Sequence, residues 1–337
     1  MSITAIVPVW NGRELLERLL ASLAAQTEPA AELLVVDNGS HDGAPELARE
    51  RGARVIAMGR NAGFAAAVNR GIREARGEWI AVLNNDVELA PDYFQKLRAA
   101  GAWFATGKIL SGTPSRSGDP APIDAKIDAT FDALCRGGTA WRVGSGRSDG
   151  DIFSTGRDIG LLPWTAALFR ADLFGRVGLL EETFESYLED VDFGLRCSAQ
   201  KIAGRYVPAA LAWHRGSATL GRWHPETVRL MARNQILLIA RHYPNRLLLG
   251  WLWPVLVAQS LWGAVAFRHG AGLAWLRGKG QGLCRFSDAR RSLQPSDSKL
   301  QEQFVRGNER TILEFQQAAG FDAYWKLYFL LTGGGAK

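Results

Sequence analysis

The chain has 337 residues, 47% hydrophobic and 22% charged, with forty Lys and Arg against thirty-four Asp and Glu, a formal charge of +6. At about 150 residues per domain this length allows two domains, and the composition excludes a disordered, collagen-like or disulfide-scaffold protein. Cys135, Cys197 and Cys284 stand far apart with no CxxC pair, which indicates neither a disulfide framework nor a zinc site and fits a reducing compartment.

The N-terminus has no basic start or long apolar core, so no signal peptide is expected. Residues 4–9 read as a first strand, followed by a helix opening at Asn11-Gly12 and running to about Gln26, with Leu15, Leu16, Leu19, Leu20 and Leu23 on one stripe. A second strand at 33–36 ends in Asp37-Asn38-Gly39-Ser40-His41-Asp42-Gly43, and a helix over 45–51 follows. A third strand at 54–57 precedes Arg60-Asn61-Ala62-Gly63-Phe64 and a helix to Arg76, and a fourth at 79–83 ends in Asn84-Asn85-Asp86. Alternating short strands and helices predict βαβ units on a parallel sheet. Open α/β sheets bind ligands at the carboxyl ends of their strands, where each of these polar clusters lies.

Residues 111–160 are rich in Gly, Ser, Pro and Asp and predict long loops beside a sheet edge. A strand at 164–169, a helix at 170–177, a helix start at 187–196 and two strand-like runs at 205–207 and 211–214 follow. From Arg222 to Lys299 there are twelve Lys or Arg against three acids, and 247–267 carries no formal charge. The predicted domains are an α/β domain over 1–224 and a helical region over 225–337.

Asp86 after an apolar strand stands where a hard cation holding a diphosphate would be anchored, although a lone Asp there is more often a turn former or helix cap. Asp37 in an Asx turn has the same plain alternative.

Taken together, VPVWN (7–11), VVDNGSHDG (35–43), RNAGFAAAVNRG (60–71), LNNDV (83–87), WTAALFR (164–170), YLEDVDFGLR (187–196) and AWHRGSAT (212–219) resemble the inverting family 2 glycosyltransferases of GT-A fold, within their rhamnosyltransferase-like branch. The resemblance spans roughly residues 3–240. It implies that 1–224 is a nucleotide-sugar-binding and catalytic domain with a mostly parallel, Rossmann-like sheet flanked by helices, while the basic, Trp- and Leu-rich composition after residue 225 is what predicts a C-terminal helical, membrane-facing or acceptor-binding appendage. It also implies a nucleoside-diphosphate sugar donor (dTDP- or UDP-sugar) contacted by Pro8, Trp10, Asn11, Asp37, Arg60, Asn61, Gly63, Asn69, Asn84 and Asn85. Asp37 would accept from the base N3–H, with Trp10 either stacked on the base or packed in the core, and Arg60 either at the donor or a surface cation.

Where the family's metal motif reads Asp-x-Asp, this chain has Asn84 first, leaving Asp86 as the metal carboxylate. His214 matches a further ligand, against the alternative of a core histidine. A divalent metal, Mn²⁺ or Mg²⁺, is therefore implied, and a histidine ligand favours Mn²⁺. Asp190 matches the base and Glu189 the residue orienting the acceptor, while Asp192 and Arg196 are expected to form an i, i+4 ion pair. Trp164 and Thr165 match the acceptor side, with packing the competing role for Trp164.

The implied acceptor is a glycan or lipid-linked hydroxyl. For 247–267 three states are open: lying on the membrane, buried in a helical subdomain, or spanning. The expected location is cytoplasmic, peripheral on the cytoplasmic membrane face. Two other classes compete. A sugar nucleotidyltransferase would carry a Gly-rich, Arg-containing phosphate loop where Trp10-Asn11-Gly12-Arg13 stands. A nucleic-acid-binding module would suit the basic third, which lacks any RRM, zinc-finger or helix-turn-helix signature, so no nucleic-acid partner is expected.

Overall fold

The computed structural model describes residues 2–114, 125–216, 221, 223–292 and 297–333. Ser217, Ala218 and Thr219 at the end of the last family-like motif lie outside the described residues. The chain divides into two compact units, Met1–Phe131 with Gly144–Cys197 and Ile202–Thr219, and Asp132–Val143 with Ser198–Lys201 and Leu220–Lys337. Residues 132–143, expected within the first domain, thus belong with the helical C-terminal part.

The first unit begins β1 (Ile3–Val9), α1 (Arg13–Ala24), β2 (Glu32–Asp37), α2 (Ala44–Glu50), β3 (Arg54–Ala57), α3 (Phe64–Glu74) and β4 (Trp79–Leu83). β5 (Val87–Leu89), α4 (Tyr93–Ala99), β6 (Phe104–Ser111) and β7 (Ile127–Ala129) follow. After β8 (Asp132–Leu134) and β9 (Ala140–Arg142), which form a separate antiparallel pair, come β10 (Arg157–Ile159), β11 (Ala166–Arg170), α5 (Asp172–Val177), α6 (Glu189–Ala199) and β12 (Gly204–His214). The sheet runs β10-β12-β6-β11-β4-β1-β2-β3, with β5 on β12 and β7 on β6.

β1 is parallel to both β2 and β4, with Val9 opposite Asp37. β11 runs antiparallel between β4 and β6. β1 is buried along both faces, as a parallel strand covered by helices must be. Leu16, Leu19, Leu20 and Leu23 of α1 join it in one core cluster with Tyr93 and Phe94 of α4.

Two expectations change. The region 111–160 contains β7, β8, β9 and β10 rather than loops alone. The runs at 205–207 and 211–214 are one strand, β12, whose register on β6 shifts between Val207 and Leu211. Pro208 lies in that irregularity, where a residue without an N–H costs no ladder bond.

The second unit holds α7 (Pro225–His242), α8 (Asn245–Gly250), α9 (Leu252–Arg268), α10 (Gly272–Cys284), α11 (Phe286–Arg291), α12 (Ser298–Ala319) and α13 (Ala323–Thr332). Inside it Arg136 Nε donates to Glu309 Oε2 at 2.6 Å. The Lys279 ammonium donates to Ala232 O at 3.0 Å, to Gln235 Oε1 at 2.8 Å and to Gln259. The uncharged run 247–267 breaks at Trp251 into α8 and α9. Among the described residues, no helix is long and apolar enough to cross a membrane.

Candidate active site

The ends of β1, β2, β3 and β4 are laced together by their turns. Asn11 (φ 61) and Gly12 (φ 90) form a left-handed turn ahead of α1, so the helix starts at Arg13 rather than at Asn11. A Cβ on Gly12 would stand 2.8 Å from Asn85 Nδ2, which is why Asn85 can reach across and donate to Asn11 O at 2.9 Å. Asn11 N–H donates to Ser40 Oγ at 2.9 Å, and its own Oδ1 accepts from His41 N–H at 2.9 Å.

Asp42 Oδ2 accepts from the N–H groups of Gly12 (2.6 Å) and Arg13 (2.8 Å), satisfying the start of α1 from the turn after β2. Burial works to raise the Asp42 carboxyl, but N–H donation from Arg13, Ala44 and Gly12 holds it below its ordinary value. Asp37 is buried and accepts from Ser40 N–H at 2.8 Å, three residues on rather than the two of the expected Asx turn. Asn38 bridges to the third strand end, donating to Gly63 O at 3.1 Å and accepting from Ala62 N–H at 3.0 Å. Trp10 is 38% exposed, so it is not a core residue. Pro8 is half-buried, and Arg60 and Asn61 are exposed in the turn after β3.

Asn84 N–H donates to Thr165 O at 2.9 Å, and Asp86 follows at the mouth of β4. His214, the last residue of β12, points Nε2 at Asp86 Oδ1, 3.0 Å away, and Nδ1 at Asp128 Oδ2 on β7, 2.9 Å away. Burial would lower the imidazole pKa, but hydrogen bonds and charge from Asp128 and Asp86 outweigh it and raise it to about 9. Asp128 is a site residue that sequence reasoning misses. Ile127 and Ala129 beside it are buried, but so is Thr130, so no alternation in the sequence singles Asp128 out.

The segment leading into α6 is docked on the third strand end. Ala65 N–H donates to Glu185 O at 3.1 Å, and Phe64 N–H to Ser186 Oγ at 3.3 Å. Gly63 has φ +89, and a Cβ there would meet Glu185 O at 2.7 Å. Within this segment Glu185, Tyr187 and Leu188 all have positive φ, 61, 73 and 69, a conformation costly for side-chain-bearing residues and concentrated at functional sites. Glu189, buried, and Asp190, half-buried, follow immediately as the first residues of α6. The expected pair forms behind them: Arg196 Nε donates to the buried Asp192 at 2.9 Å, and its other nitrogens hold Val177 O and Leu179 O.

Three residues expected in the site are committed elsewhere. Asn69 is 1% exposed, and its amide donates to Leu180 O and Glu182 Oε1 and accepts from Leu180 N–H, each at 2.9 Å. It clamps the 180–182 segment to α3 instead of contacting a donor. Trp164 is 3% exposed, with its ring 4.3 Å from that of Phe169 and 5.0 Å from that of Phe193. That leaves no face on which a sugar could stack. Thr165 is buried beside it and serves the sheet through the carbonyl that accepts from Asn84.

Among the described residues, no three His, Cys, Asp or Glu side chains form a complete metal cage. Asp86 and Asp128 face opposite nitrogens of one imidazole and so cannot share an ion. Asp86 and His214 can. Their side-chain atoms are 3.0 Å apart, an ion pair while the raised pKa keeps the imidazole protonated and also the spacing of two neighbouring ligands, so a cation there has to displace the Nε2 proton. Such an open pair suits a hard cation that takes its remaining ligands from water and substrate phosphates.

Residues 4–176 match the model of glycosyl transferase family 2. Over 276 residues the chain is 29% identical to N-acetylglucosaminyl-diphospho-decaprenol L-rhamnosyltransferase of Mycobacterium tuberculosis, covering 75% of this chain and 87% of that protein. Over 114 residues it is 36% identical to the succinoglycan biosynthesis protein ExoO of Rhizobium meliloti, covering 32% of this chain and 33% of that protein. Among solved structures it is similar to GalNAc-T7, crystallised with UDP, GalNAc and Mn²⁺, at a TM-score of 0.62 and 13% identity. That match covers 95% of this chain and 58% of the solved one, so the chain spans a little over half the length of that neighbour. The likeness is one of fold, a GT-A sheet flanked by helices. With these turns on the GT-A sheet and the family model matching over half its length, the chain belongs to glycosyl transferase family 2 and is a glycosyltransferase.

Proposed function

We propose that the protein transfers a sugar, with rhamnose the first candidate, from a dTDP- or UDP-sugar to a hydroxyl of a lipid-linked or glycan acceptor, by one inverting displacement assisted by Mn²⁺ or Mg²⁺. The observation that carries this reading is the pairing of Asp86 with His214 at 3.0 Å on the sheet edge that also holds Asp37 and Trp10. The acceptor class rests on the similarity to the mycobacterial rhamnosyltransferase, whose name specifies a lipid-diphosphate acceptor. The reaction then belongs at the cytoplasmic membrane face.

In this reading Asp37 accepts from the base N3–H, a group that uracil and thymine share; Trp10, exposed and next to the Val9 that pairs with Asp37, supports an aromatic contact with the base. Asn11, Asn84, Asn85, Arg60, Asn61 and Gly63 wall the donor, with Asn11 and Asn85 holding each other in place through their 2.9 Å bond. Asp86 and His214 hold the divalent ion, which when bound offsets the charge of the departing diphosphate. Asp190 takes the proton of the acceptor hydroxyl as its oxygen attacks the anomeric carbon, and Glu189 orients that hydroxyl. Glu185, Tyr187 and Leu188, held at positive φ, lead directly into Glu189 and Asp190 at the start of α6.

A transfer assay over a panel of nucleotide sugars, with and without Mn²⁺, on a polyprenyl-diphosphate N-acetylglucosamine acceptor tests the reading. Metal-dependent turnover of dTDP-rhamnose with inversion at the anomeric carbon supports it. Retention of configuration, or no transfer from any nucleotide sugar, overturns it.

A further inference from the structure

The second unit carries an apolar band on its outside. On α9, Trp253, Leu256, Ser260, Ala264 and Phe267 are all exposed and recur every three or four residues, a face about 20 Å long at 1.5 Å per residue. The band widens at both ends. Trp253 Nε1 donates to Leu331 O at 2.9 Å, which sets the exposed end of α13, with Leu330 and Leu331, beside Leu252 and Trp253. At the other end the Phe267 ring lies edge-on to that of Trp275 of α10, 6.2 Å away, and the exposed Leu273 and Leu276 flank Trp275 in sequence.

A contiguous apolar surface of this extent is uncommon on a soluble protein without a partner. Along α8 to α11 the charge beside the band is predominantly positive. Residues 245–292 hold seven Lys or Arg and a single acid, Asp288, and Arg246, Arg268, Arg277 and Arg285 are exposed.

We infer that this band, built by α9 with the adjoining ends of α10 and α13, docks the protein on an anionic lipid bilayer, its leucines and Trp253 entering the headgroup layer and its arginines meeting the lipid phosphates. Apolar side chains with Trp on one face and Arg around them match an interfacial surface. A second copy of the chain fits less well, because a two-fold interface would bring arginine-rich surfaces of like charge together. The inference rests on the proposed function and deepens it, giving the enzyme of a lipid-linked acceptor a means of reaching its membrane. Vesicle binding needs neither donor nor acceptor, so its failure is separable from failure of the proposed transfer.

The test is flotation of the full chain with phosphatidylglycerol–phosphatidylcholine vesicles and with phosphatidylcholine vesicles, beside light scattering without lipid. The protein is expected to float with the anionic vesicles, and less so as salt rises. The triple variant Leu252→Ser/Leu256→Ser/Leu330→Ser lowers the bound fraction about tenfold or more while its circular dichroism is unchanged. A charge variant, Arg268→Gln/Arg277→Gln/Arg285→Gln, removes the preference for anionic over neutral vesicles. Absence of flotation, equal flotation of the triple variant, or a lipid-free dimer that the triple variant dissociates would overturn the inference.

Discussion

Nδ1 of His214 lies 2.9 Å from Asp128 Oδ2, which leaves Nε2 as the nitrogen directed at Asp86. A carboxylate on the far nitrogen of a metal-binding histidine fixes its tautomer and its ring orientation, and losing such a partner costs about 10–100-fold in metal affinity. Asp128→Ala is therefore expected to raise the Mn²⁺ concentration for half-maximal transfer by about 10–100-fold. A metal titration of initial rates checks this, and an unchanged midpoint would remove Asp128 from the site.

Asp190→Asn keeps the shape of the side chain and removes the proposed base. Transfer should fall by about 10²–10⁴-fold with the thermal midpoint unchanged, as rate assays and a melting curve would read.

Gly63→Ala places a Cβ 2.7 Å from Glu185 O at a φ of +89. The clash pushes the 185–188 segment away from α3 and the positive φ strains the backbone at residue 63 itself, together costing about 1–3 kcal/mol. Denaturant unfolding measures the loss, and a rate that drops further than stability predicts would show that this contact orients the start of α6.

Trp164 packs on Phe169, Phe174 and Phe193. Trp164→Ala should destabilise the first unit by about 3–5 kcal/mol. Trp164→Phe should leave the acceptor KM unaltered. A raised acceptor KM in the Phe variant would instead return Trp164 to the acceptor side.

Lys279 and His214 give opposed pH dependences in the metal-free protein. Burial brings the Lys279 pKa from 10.5 down to about 7, so between those values the unfolded chain binds the additional proton and stability rises with pH. His214, raised from 6.5 to about 9 by its two carboxylates, holds its proton longer in the folded chain, so its contribution is present below 6.5 and is lost as pH rises through 9. Urea unfolding between pH 7 and pH 9 separates them. Lys279→Met should make the change of stability with pH more negative than in the wild type, and His214→Gln should make it more positive. Slopes that stay as in the wild type would contradict both assignments.

The legible parts of the sequence are those fixed by local patterns. β1 and β4 are short apolar runs buried on both faces, and the turns after β1 to β4 carry the polar residues that a GT-A sheet presents at its strand ends. What is not legible depends on distant partners. Asn69 looks like a donor contact until Leu180, 111 residues away, takes its amide. Trp164 looks like a sugar platform until Phe193 closes over it. Asp128 sits on a three-residue strand, too short for alternation alone to announce, and pairing of β7 with β6 brings it to His214. β12 reads as two runs because Pro208 interrupts its pattern, while β6 continues to pair on either side.

In the proposed mechanism Asp86 holds the ion that accompanies the diphosphate, while Asp190 acts on the acceptor alone. Calorimetric titration of a nucleoside diphosphate, with and without Mn²⁺, into the wild type, Asp86→Asn and Asp190→Asn separates the two roles. Asp190→Asn should bind as the wild type does, with the same gain on adding Mn²⁺, whereas Asp86→Asn should lose that gain. A Mn²⁺-dependent gain that survives in Asp86→Asn, or disappears in Asp190→Asn, would contradict it.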